Sequence, residues 1–431
     1  MADVCVPMFV SSQTSIYCSS CALQPRGAAN LIENHPMRYR KFRADQLFDG
    51  FDFRAEDSVL ICDEKGKIEN IVPGAEAGGE VKTLEGILSP GLINCHCHVE
   101  LSHLKNVIPP GTGLINFLKT VVQKRDFDAD IIQGEIEKAE QEMFNNGIVA
   151  VGDISNQADA IEMKRKSKIR WHTFIEVLSI TDEKAEANVG HYKKVLAAHL
   201  EHIPAPHRSV LSPHAPYTVS PKSFEMINEA SANKILSVHN QEHPAEDELY
   251  RSGKGEFLEL LSIFGFTSSP FPITGSSSLR SYLPHFNRGQ KIFLVHNTYI
   301  PQDDIVFAKN YAQQNNLSLV FCLCPNANLY IENKMPPVDK LVKNECSIVL
   351  GTDSYSSNWQ LSIAKEMQAL LNSPHFANMQ LKDAQKILLR WATYNGATAL
   401  DWQNELGSFE QGKTPGIVLI ANDLSSSKRI L

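Results

Sequence analysis

The strongest constraint on the fold is a regular alternation of short apolar segments with amphipathic segments in the middle of the chain. Eight of these segments are typical of buried strands: ILSPGLINCHCH, GIVAVGDIS, RWHTFIEVLS, SVLSPHAPY, ILSVHNQE, IFLVHNTYI, LSLVFCLCPNA and SIVLGTDS. A helical pattern follows each one, and buried strands that alternate with helices pair in parallel. Eight such units over roughly 300 residues fit a closed (β/α)8 barrel, which takes about 250 residues plus insertions.

An open, doubly wound parallel sheet is the alternative fold. It lacks its usual ligand motifs here, because no GxGxxG follows the first strand and no GxxxxGK[ST] occurs anywhere in the chain. We therefore predict an α/β protein with a TIM-like (β/α)8 barrel over residues 91–404. One of its helices precedes the second strand, where Ile132, Ile136, Ala139 and Met143 recur on one helical face.

The two ends of the chain have a different pattern. Residues 37–90 and 405–431 contain short apolar runs separated by turn residues, and a hairpin is predicted around residues 63–67, in SVLICDEKGKIENIV. We expect these two segments to form one small composite β-sandwich domain. Residues 1–36 have neither a helical nor a strand period. We interpret them as an unstructured or non-native extension, whose deletion would leave activity intact.

Charge and cysteine usage restrict the partners and the compartment. The 41 Lys and Arg against 49 Asp and Glu give a net charge of -8, so no general attraction to nucleic acid or to anionic lipid is expected. No apolar run is long enough to span a bilayer, and the N-terminus lacks the pattern of a signal peptide. The 9 cysteines are not spaced as a disulfide framework. These features favour a cytoplasmic protein with a small-molecule partner.

The ends of the predicted strands carry an unusual set of polar residues. In a parallel barrel, catalytic groups gather where the strands end. Such strand-end residues are His96, His98, His214, His239, His296 and Asp353. A single strand-end histidine is more often structural than a ligand, but five of the 15 histidines lie at these ends. Two histidines two residues apart on a strand point to the same face. The joint pattern predicts a metal site.

The motifs PGLINCHCH, HAPYT, HNQE, VHN and GTDSYSSN, in this order, resemble the amidohydrolase superfamily. The resemblance extends from Met37 onward and is greatest to the mononuclear metal-dependent deaminase and chlorohydrolase branch. This branch includes S-adenosylhomocysteine, guanine and aminodeoxyfutalosine deaminases. The segments HVELSHLKNVIPPGTGLINFL and CPNANLYI are similar to the aminodeoxyfutalosine-type members.

The resemblance implies that His96, His98, His239 and Asp353 are the metal ligands. Three imidazoles and one carboxylate suit Zn²⁺ or Fe²⁺. Bimetallic relatives bridge their ions with a carboxylated lysine at the end of the fourth strand, and RSVLSPHAPYT contains no lysine. We therefore expect one divalent ion, with Zn²⁺ as the first choice and Fe²⁺ as the alternative.

The resemblance also implies catalytic roles. Glu242 would protonate a ring nitrogen, His296 and Asp353 would take and pass the proton of the attacking water, and His214 would bind the substrate or the developing charge. The alternative for Glu242 is a surface carboxylate on the following helix. Substrate contacts are expected from His214, Glu100, Glu176, Asn328 and Ser356. By analogy with relatives, a homo-oligomer is expected.

The resulting prediction is hydrolytic deamination of an aminated purine nucleoside or related heterocycle, with release of ammonia. Two alternatives stay open. One is another hydrolysis on the same scaffold, either dechlorination of a triazine or cleavage of a cyclic amide. The other is a catalytically silent metal-binding protein. The cytidine-deaminase fold is excluded, because its HxE and PCxxC signature is absent.

Overall fold

The computed structural model describes residues 39–431, and the predictions about residues 1–36 lie outside this range. The strands are β1 (Arg40–Leu47), β2 (Val59–Cys62), β3 (Ile68–Val72), β4 (Val81–Pro90), β5 (Leu92–Cys97), β6 (Ile148–Ser155), β7 (Arg170–Val177), β8 (Arg208–Pro213), β9 (Ile235–Asn240), β10 (Lys291–His296), β11 (Ser318–Leu323), β12 (Ile348–Leu350), β13 (Ile417–Ile420) and β14 (Ser427–Arg429). Within this part of the chain, no helix is both long and apolar enough to cross a membrane.

The helices lie between the barrel strands and after the last one. They are α1 (Leu114–Lys124), α2 (Ala129–Asn145), α3 (Ile161–Lys166), α4 (Ala185–His202), α5 (Pro221–Ala230), α6 (Pro244–Ser252), α7 (Phe257–Ile263), α8 (Ser278–Tyr282), α9 (Gln302–Asn315), α10 (Pro325–Glu332), α11 (Val338–Lys343), α12 (Ile363–Leu371), α13 (Leu381–Arg390) and α14 (Gly396–Ala399). At least one helix therefore separates each pair of consecutive strands from β5 to β12.

Strands β5–β12 form the predicted barrel. Their hydrogen-bonded pairs are all parallel and make two four-stranded sheets, ordered β5-β6-β7-β8 and β9-β10-β11-β12. The backbone N–H of His239 donates to the carbonyl oxygen of His214 at 2.9 Å, which joins β9 to β8. The N–H groups of Thr352 and Asp353 donate to the carbonyl oxygen of His96 at 3.0 Å each, which joins β12 to β5. These hydrogen bonds link β8 to β9 and β12 to β5, so the eight strands form a closed ring. The (β/α)8 barrel is therefore confirmed, and the open sheet is wrong.

Apolar side chains fill both the barrel and the layer between strands and helices. Ile93, Phe174 and Phe293, on three of the barrel strands, are completely buried in one apolar cluster. The predicted apolar face of α2 packs into the larger cluster around the strands, where Ala139 and Met143 are completely buried. Full burial of a large apolar side chain contributes about 1.5–3 kcal/mol. This packing holds the strand ends in fixed relative positions.

Strands before and after the barrel form a separate six-stranded sheet. Its order is β14-β13-β4-β1-β2-β3, and β13 pairs antiparallel with β4. The predicted hairpin joins β2 to β3, where the N–H groups of Lys65 and Lys67 donate to Oδ1 of Asp63 at 2.8 and 2.9 Å. The six strands make one hydrogen-bonded sheet. A two-layer sandwich and the domain boundaries at residues 37–90 and 405–431 stay predictions.

Candidate metal and catalytic site

Four of the predicted strand-end residues bring their donor atoms together at one end of the barrel. Nε2 of His98 lies 3.2 Å from Nε2 of His96 and 3.3 Å from Nε2 of His239. Oδ1 of Asp353 lies 3.6 Å from Nε2 of His96 and 3.5 Å from Nε2 of His98. Imidazole nitrogens and a carboxylate oxygen that converge in this way are the donor types of a zinc site.

The protonation of these histidines suits a metal ion. Burial lowers the pKa of His96 and His239, and it lowers the pKa of His98 to about 3, so the rings are neutral and keep a lone pair. Nδ1 of His239 lies 2.9 Å from the backbone carbonyl oxygen of His214. A carbonyl only accepts, so the His239 proton is on Nδ1 and its Nε2 lone pair faces the other ligands. The residues therefore fit a divalent metal ion.

The backbone is unusual where it presents these groups. His296 has φ of 72° and Asp353 has φ of 58°, and left-handed values in non-glycine residues cluster at functional sites. In the GTD motif, a Cβ on Gly351 would lie 2.7 Å from Cβ of His96, so only glycine allows this close approach. Ser357 Oγ donates to Oδ2 of Asp353 at 2.6 Å, and Oδ1 is the oxygen that faces the histidines.

Glu242 is a buried residue beside this cluster. Its Oε1 lies 3.6 Å from Nε2 of His296, and only 5% of Glu242 is exposed. Burial raises its pKa well above the usual value, which favours the protonated acid. The surface alternative for Glu242 is therefore wrong. On the other side of the His296 ring, Nδ1 lies 2.9 Å from Oδ1 of Asn328.

Glu246 holds the loop that carries Glu242, and the sequence interpretation missed this role. Its buried carboxylate accepts backbone hydrogen bonds from Gln241 at 3.0 Å, Glu242 at 2.6 Å and His243 at 3.2 Å. Pro244 at the first position of α6 is a helix-start signal, and Glu246 stands at the third position, where a glutamate can bond back to the N-cap amide. Both residues are visible in the sequence, although His243 stands where a capping box usually has serine or threonine.

Glu176 and His214 form a second polar group next to His239. Oε1 of Glu176 lies 4.0 Å from Nε2 of His214 and 3.5 Å from Nδ1 of His239, and Oε2 accepts from Asn156 Nδ2 at 3.0 Å. Nδ1 of His214 lies 2.7 Å from Oγ1 of Thr218. Burial lowers the pKa of His214 to about 3 and raises the pKa of Glu176 to about 7. A neutral His214 can donate or accept a hydrogen bond.

A cleft with about 850 Å³ of empty space, open to solvent, lies over these groups. Its polar floor includes His98, His239, His296, Glu242 and Asp353. Its apolar wall comes largely from α1, through Leu114, Phe117, Leu118, Val121 and Val122. A cleft with an apolar wall and a few convergent polar groups is typical of a small-molecule site. The sequence analysis did not predict that the apolar side chains of α1 line the site.

Three predicted substrate-binding residues line the cleft: His214, Glu176 and Ser356. Glu100 and Asn328 do not line it, so direct substrate contact is not supported for them. Oε2 of Glu100 accepts the backbone N–H groups of Asn156 at 2.8 Å and Gln157 at 3.1 Å. Asn328 contacts His296 instead. A position near a strand end does not reveal whether a side chain points into the cleft or toward the neighbouring loop.

Comparison with known proteins gives a family and named relatives. The model of the amidohydrolase family matches residues 87–430. The adenosine deaminase of Helicobacter pylori is 28% identical over 331 residues, which are 76% of this chain and 77% of that protein. The 5-methylthioadenosine/S-adenosylhomocysteine deaminase of Teredinibacter turnerae is 26% identical over 383 residues, 85% of this chain and 80% of that protein.

Solved structures share the fold. The Helicobacter pylori aminofutalosine deaminase in complex with methylthio-coformycin matches with a TM-score of 0.72 and 22% identity, over 91% of this chain and 97% of that one. An adenosine deaminase from Xanthomonas campestris with bound zinc matches with a TM-score of 0.65 and 20% identity, over 89% and 84% of the two chains. The resemblance to the deaminase and chlorohydrolase branch is confirmed. This chain belongs to the amidohydrolase family.

Proposed function

We propose that this protein is a metal-dependent hydrolase that deaminates an adenosine-like nucleoside and releases ammonia. The observation that carries the proposal is the position of the buried Glu242, whose Oε1 lies 3.6 Å from Nε2 of His296 beside the converging histidines. Deamination at a ring carbon requires an acid for the ring nitrogen and a base for the water, and these two residues supply both. The sequence relatives are named as deaminases of adenosine-like nucleosides.

In this proposal, His96, His98, His239 and Asp353 hold one divalent ion. Three neutral nitrogen donors and one carboxylate favour Zn²⁺, and Fe²⁺ is the alternative. When bound, the ion acts as a Lewis acid and lowers the pKa of a water molecule to about 7. The zinc in the adenosine deaminase from Xanthomonas campestris supports this choice.

In this proposal, residues of the chain carry out the proton transfers. Glu242 gives its carboxyl proton to the ring nitrogen as water adds to the neighbouring carbon. His296 accepts the proton of the attacking water at Nε2, because its Nδ1 faces Asn328 Oδ1 and carries hydrogen. Asp353 takes this proton from His296 and passes it to the departing amine, which leaves as ammonia when the C–N bond breaks. The hydroxyl proton of the adduct returns to Glu242 as the C=O bond forms. Nε2 of His214 binds the substrate, with its Nδ1 held by Thr218.

Ammonia release from a panel of substrates tests this function. The zinc-loaded protein would be incubated with adenosine, S-adenosylhomocysteine, aminodeoxyfutalosine, guanine and a chlorotriazine. We expect ammonia from at least one of the adenosine-like nucleosides. Chloride release from the triazine alone would favour the chlorohydrolase alternative, and no release from any compound would favour a silent protein. A cytoplasmic location and a composite β-sandwich are proposed on the sequence patterns of the chain, and a homo-oligomeric state is proposed by analogy with relatives.

A further inference from the structure

Lys164 is a lysine of the outer helix layer whose side chain lies completely inside the protein. Lysine is almost never fully buried unless a partner is present. Lys164 belongs to the short helix α3, and none of its side chain is exposed. Its Nζ lies 2.6 Å from Oδ2 of Asp153, which is also completely buried. Lys164 does not line the cleft, so the proposed proton transfers do not explain this pair.

The ammonium group of Lys164 uses all of its hydrogen-bond donors. Besides its contact with Asp153, Nζ donates to Oγ of Ser155 at 2.9 Å and to Oγ1 of Thr173 at 3.1 Å. An ammonium group has three donors and no acceptor, so these three partners satisfy it. Oγ of Ser155 also donates to Oδ2 of Asp153 at 3.0 Å. Lys164 and Ser155 therefore fix the direction of the Asp153 carboxylate by holding one of its two oxygens.

The other oxygen of Asp153 contacts the backbone beside a metal ligand. Oδ1 accepts the N–H of Val99 at 2.9 Å, and Val99 directly follows His98. The peptide bond between His98 and Val99 is planar, so this hydrogen bond restricts rotation of the His98 backbone. In the reverse direction, Oε2 of Glu100 accepts the N–H of Asn156, which follows β6. Two buried carboxylates thus join the segment that carries His98 to the end of β6.

The stability of the fold does not account for this ion pair. Burial removes both charges from water, and an apolar pair of similar volume is often as stabilising or more so. The pair of Lys164 and Asp153 supplies something that apolar side chains cannot, which is a fixed acceptor for the N–H of Val99. Groups that orient metal ligands by hydrogen bonds change the metal affinity about 10- to 100-fold when they are substituted.

We infer that Lys164 is a positioning residue for the metal ligand His98, that it acts through Asp153, and that it raises the affinity of the site for its divalent ion. The inference rests on the metal site of the proposed function and adds to it a residue from outside the cleft. Without Lys164, the Asp153 carboxylate could turn away from the N–H of Val99. Nε2 of His98 would then no longer be held 3.2 Å from Nε2 of His96.

Competition between the zinc-loaded protein and a chelator of known affinity measures the Kd for zinc. Lys164→Met removes the charge and keeps most of the side-chain length. In Asp153→Asn, the ammonium group attracts the amide oxygen, so the amide NH2 faces the N–H of Val99 and the acceptor is lost. We expect each single variant to raise Kd about 10- to 100-fold.

The double variant Asp153→Asn/Lys164→Met gives the sharpest expectation. No cation then attracts the amide oxygen, which can accept the N–H of Val99 again while the NH2 donates to Oγ of Ser155. We expect its Kd to return toward the wild-type value. Lys164→Met should therefore weaken zinc binding in the wild type and strengthen it in Asp153→Asn. Because the double variant has no buried charge, it and Asp153→Asn keep the test decisive if Lys164→Met does not fold.

Two control variants separate metal affinity from stability. Lys166→Met changes an exposed lysine of the same helix, whose partner is Glu162, and exposed ion pairs contribute little. Leu60→Ala leaves a cavity in the apolar cluster of the separate six-stranded sheet. Urea unfolding should show a less stable Leu60→Ala and a nearly unchanged Lys166→Met. Both controls should bind zinc with the wild-type Kd.

Single variants at Lys164 and Asp153 that are less stable but keep the wild-type Kd would overturn the inference. Losses of affinity that multiply in the double variant would also overturn it, because Lys164 would then not act through Asp153. If the wild type deaminates a nucleoside in either case, the proposed function remains intact. Zinc binding requires no substrate. If no nucleoside is deaminated, the proposed function fails, and the Kd values still decide the inference.

Discussion

The carboxylate of Glu246 accepts a 2.6 Å hydrogen bond from the backbone N–H of Glu242. The same carboxylate accepts the N–H groups of Gln241 and His243, so three consecutive amides are held by one side chain. A buried helix cap thus holds the backbone that carries the proposed acid.

Glu246→Gln should lower kcat by about 10²-fold with little change in metal content, because a small displacement of a catalytic group has effects of this size. Glutamine retains one acceptor oxygen in place of two. If Glu246 acts through Glu242, the substitution should have almost no further effect in a Glu242→Gln background, which steady-state kinetics of the double-mutant cycle measures. Losses of kcat that multiply in the double variant would show that Glu246 only stabilises the fold.

The donor set predicts one metal ion per chain. Elemental analysis of the purified protein should give a stoichiometry near one, since His96, His98, His239 and Asp353 form a single four-donor site. His239→Ala should lose the ion and the activity together. A stoichiometry near two in fully active protein would contradict the mononuclear assignment.

Glu100 should make stability depend on pH. Burial raises its pKa from 4.5 to about 7, so the folded state binds more protons than the unfolded state between these values. The contribution of Glu100 to the stability of the folded state is fully present below pH 4.5 and is lost as pH rises through about 7. Glu100→Gln cannot ionise. As pH rises from 5 to 8, the free energy of unfolding of Glu100→Gln should therefore increase, relative to that of the wild type, by up to about 3 kcal/mol.

Urea unfolding of the metal-loaded proteins at both pH values measures this difference. The exposed Glu64, in the β2–β3 turn, provides a control, and Glu64→Gln should follow the wild-type pH dependence. The same pH dependence in Glu100→Gln as in wild type would contradict the effect of burial on Glu100.

The barrel and the donor cluster were predictable from the sequence for a simple geometric reason. Apolar segments that alternate with helices require parallel strands, and parallel strands bring their carboxyl ends together. Residues far apart in sequence, such as His96 and Asp353, therefore meet once the barrel closes.

Other parts of the site depend on features that strand patterns do not contain. Arg125 follows a helix, and nothing in its local sequence indicates that it reaches the cleft. The amphipathic period of α1 predicts a helix but not the cleft that its apolar side covers. Glu100 and Asn328 lie just beyond β5 and β11, where the backbone is no longer extended and a strand period cannot assign a direction.

The central claim is that Glu242 supplies the acid–base chemistry beside a metal site that does not include it. The most direct test measures turnover and metal content of Glu242→Gln on the true substrate. Glutamine keeps the size of the side chain but cannot deliver a carboxyl proton. Turnover should fall about 10²- to 10⁴-fold, the usual contribution of a positioned acid or base, while metal content stays at the wild-type level. Near-normal turnover, or loss of the metal as complete as in His239→Ala, would contradict the claim.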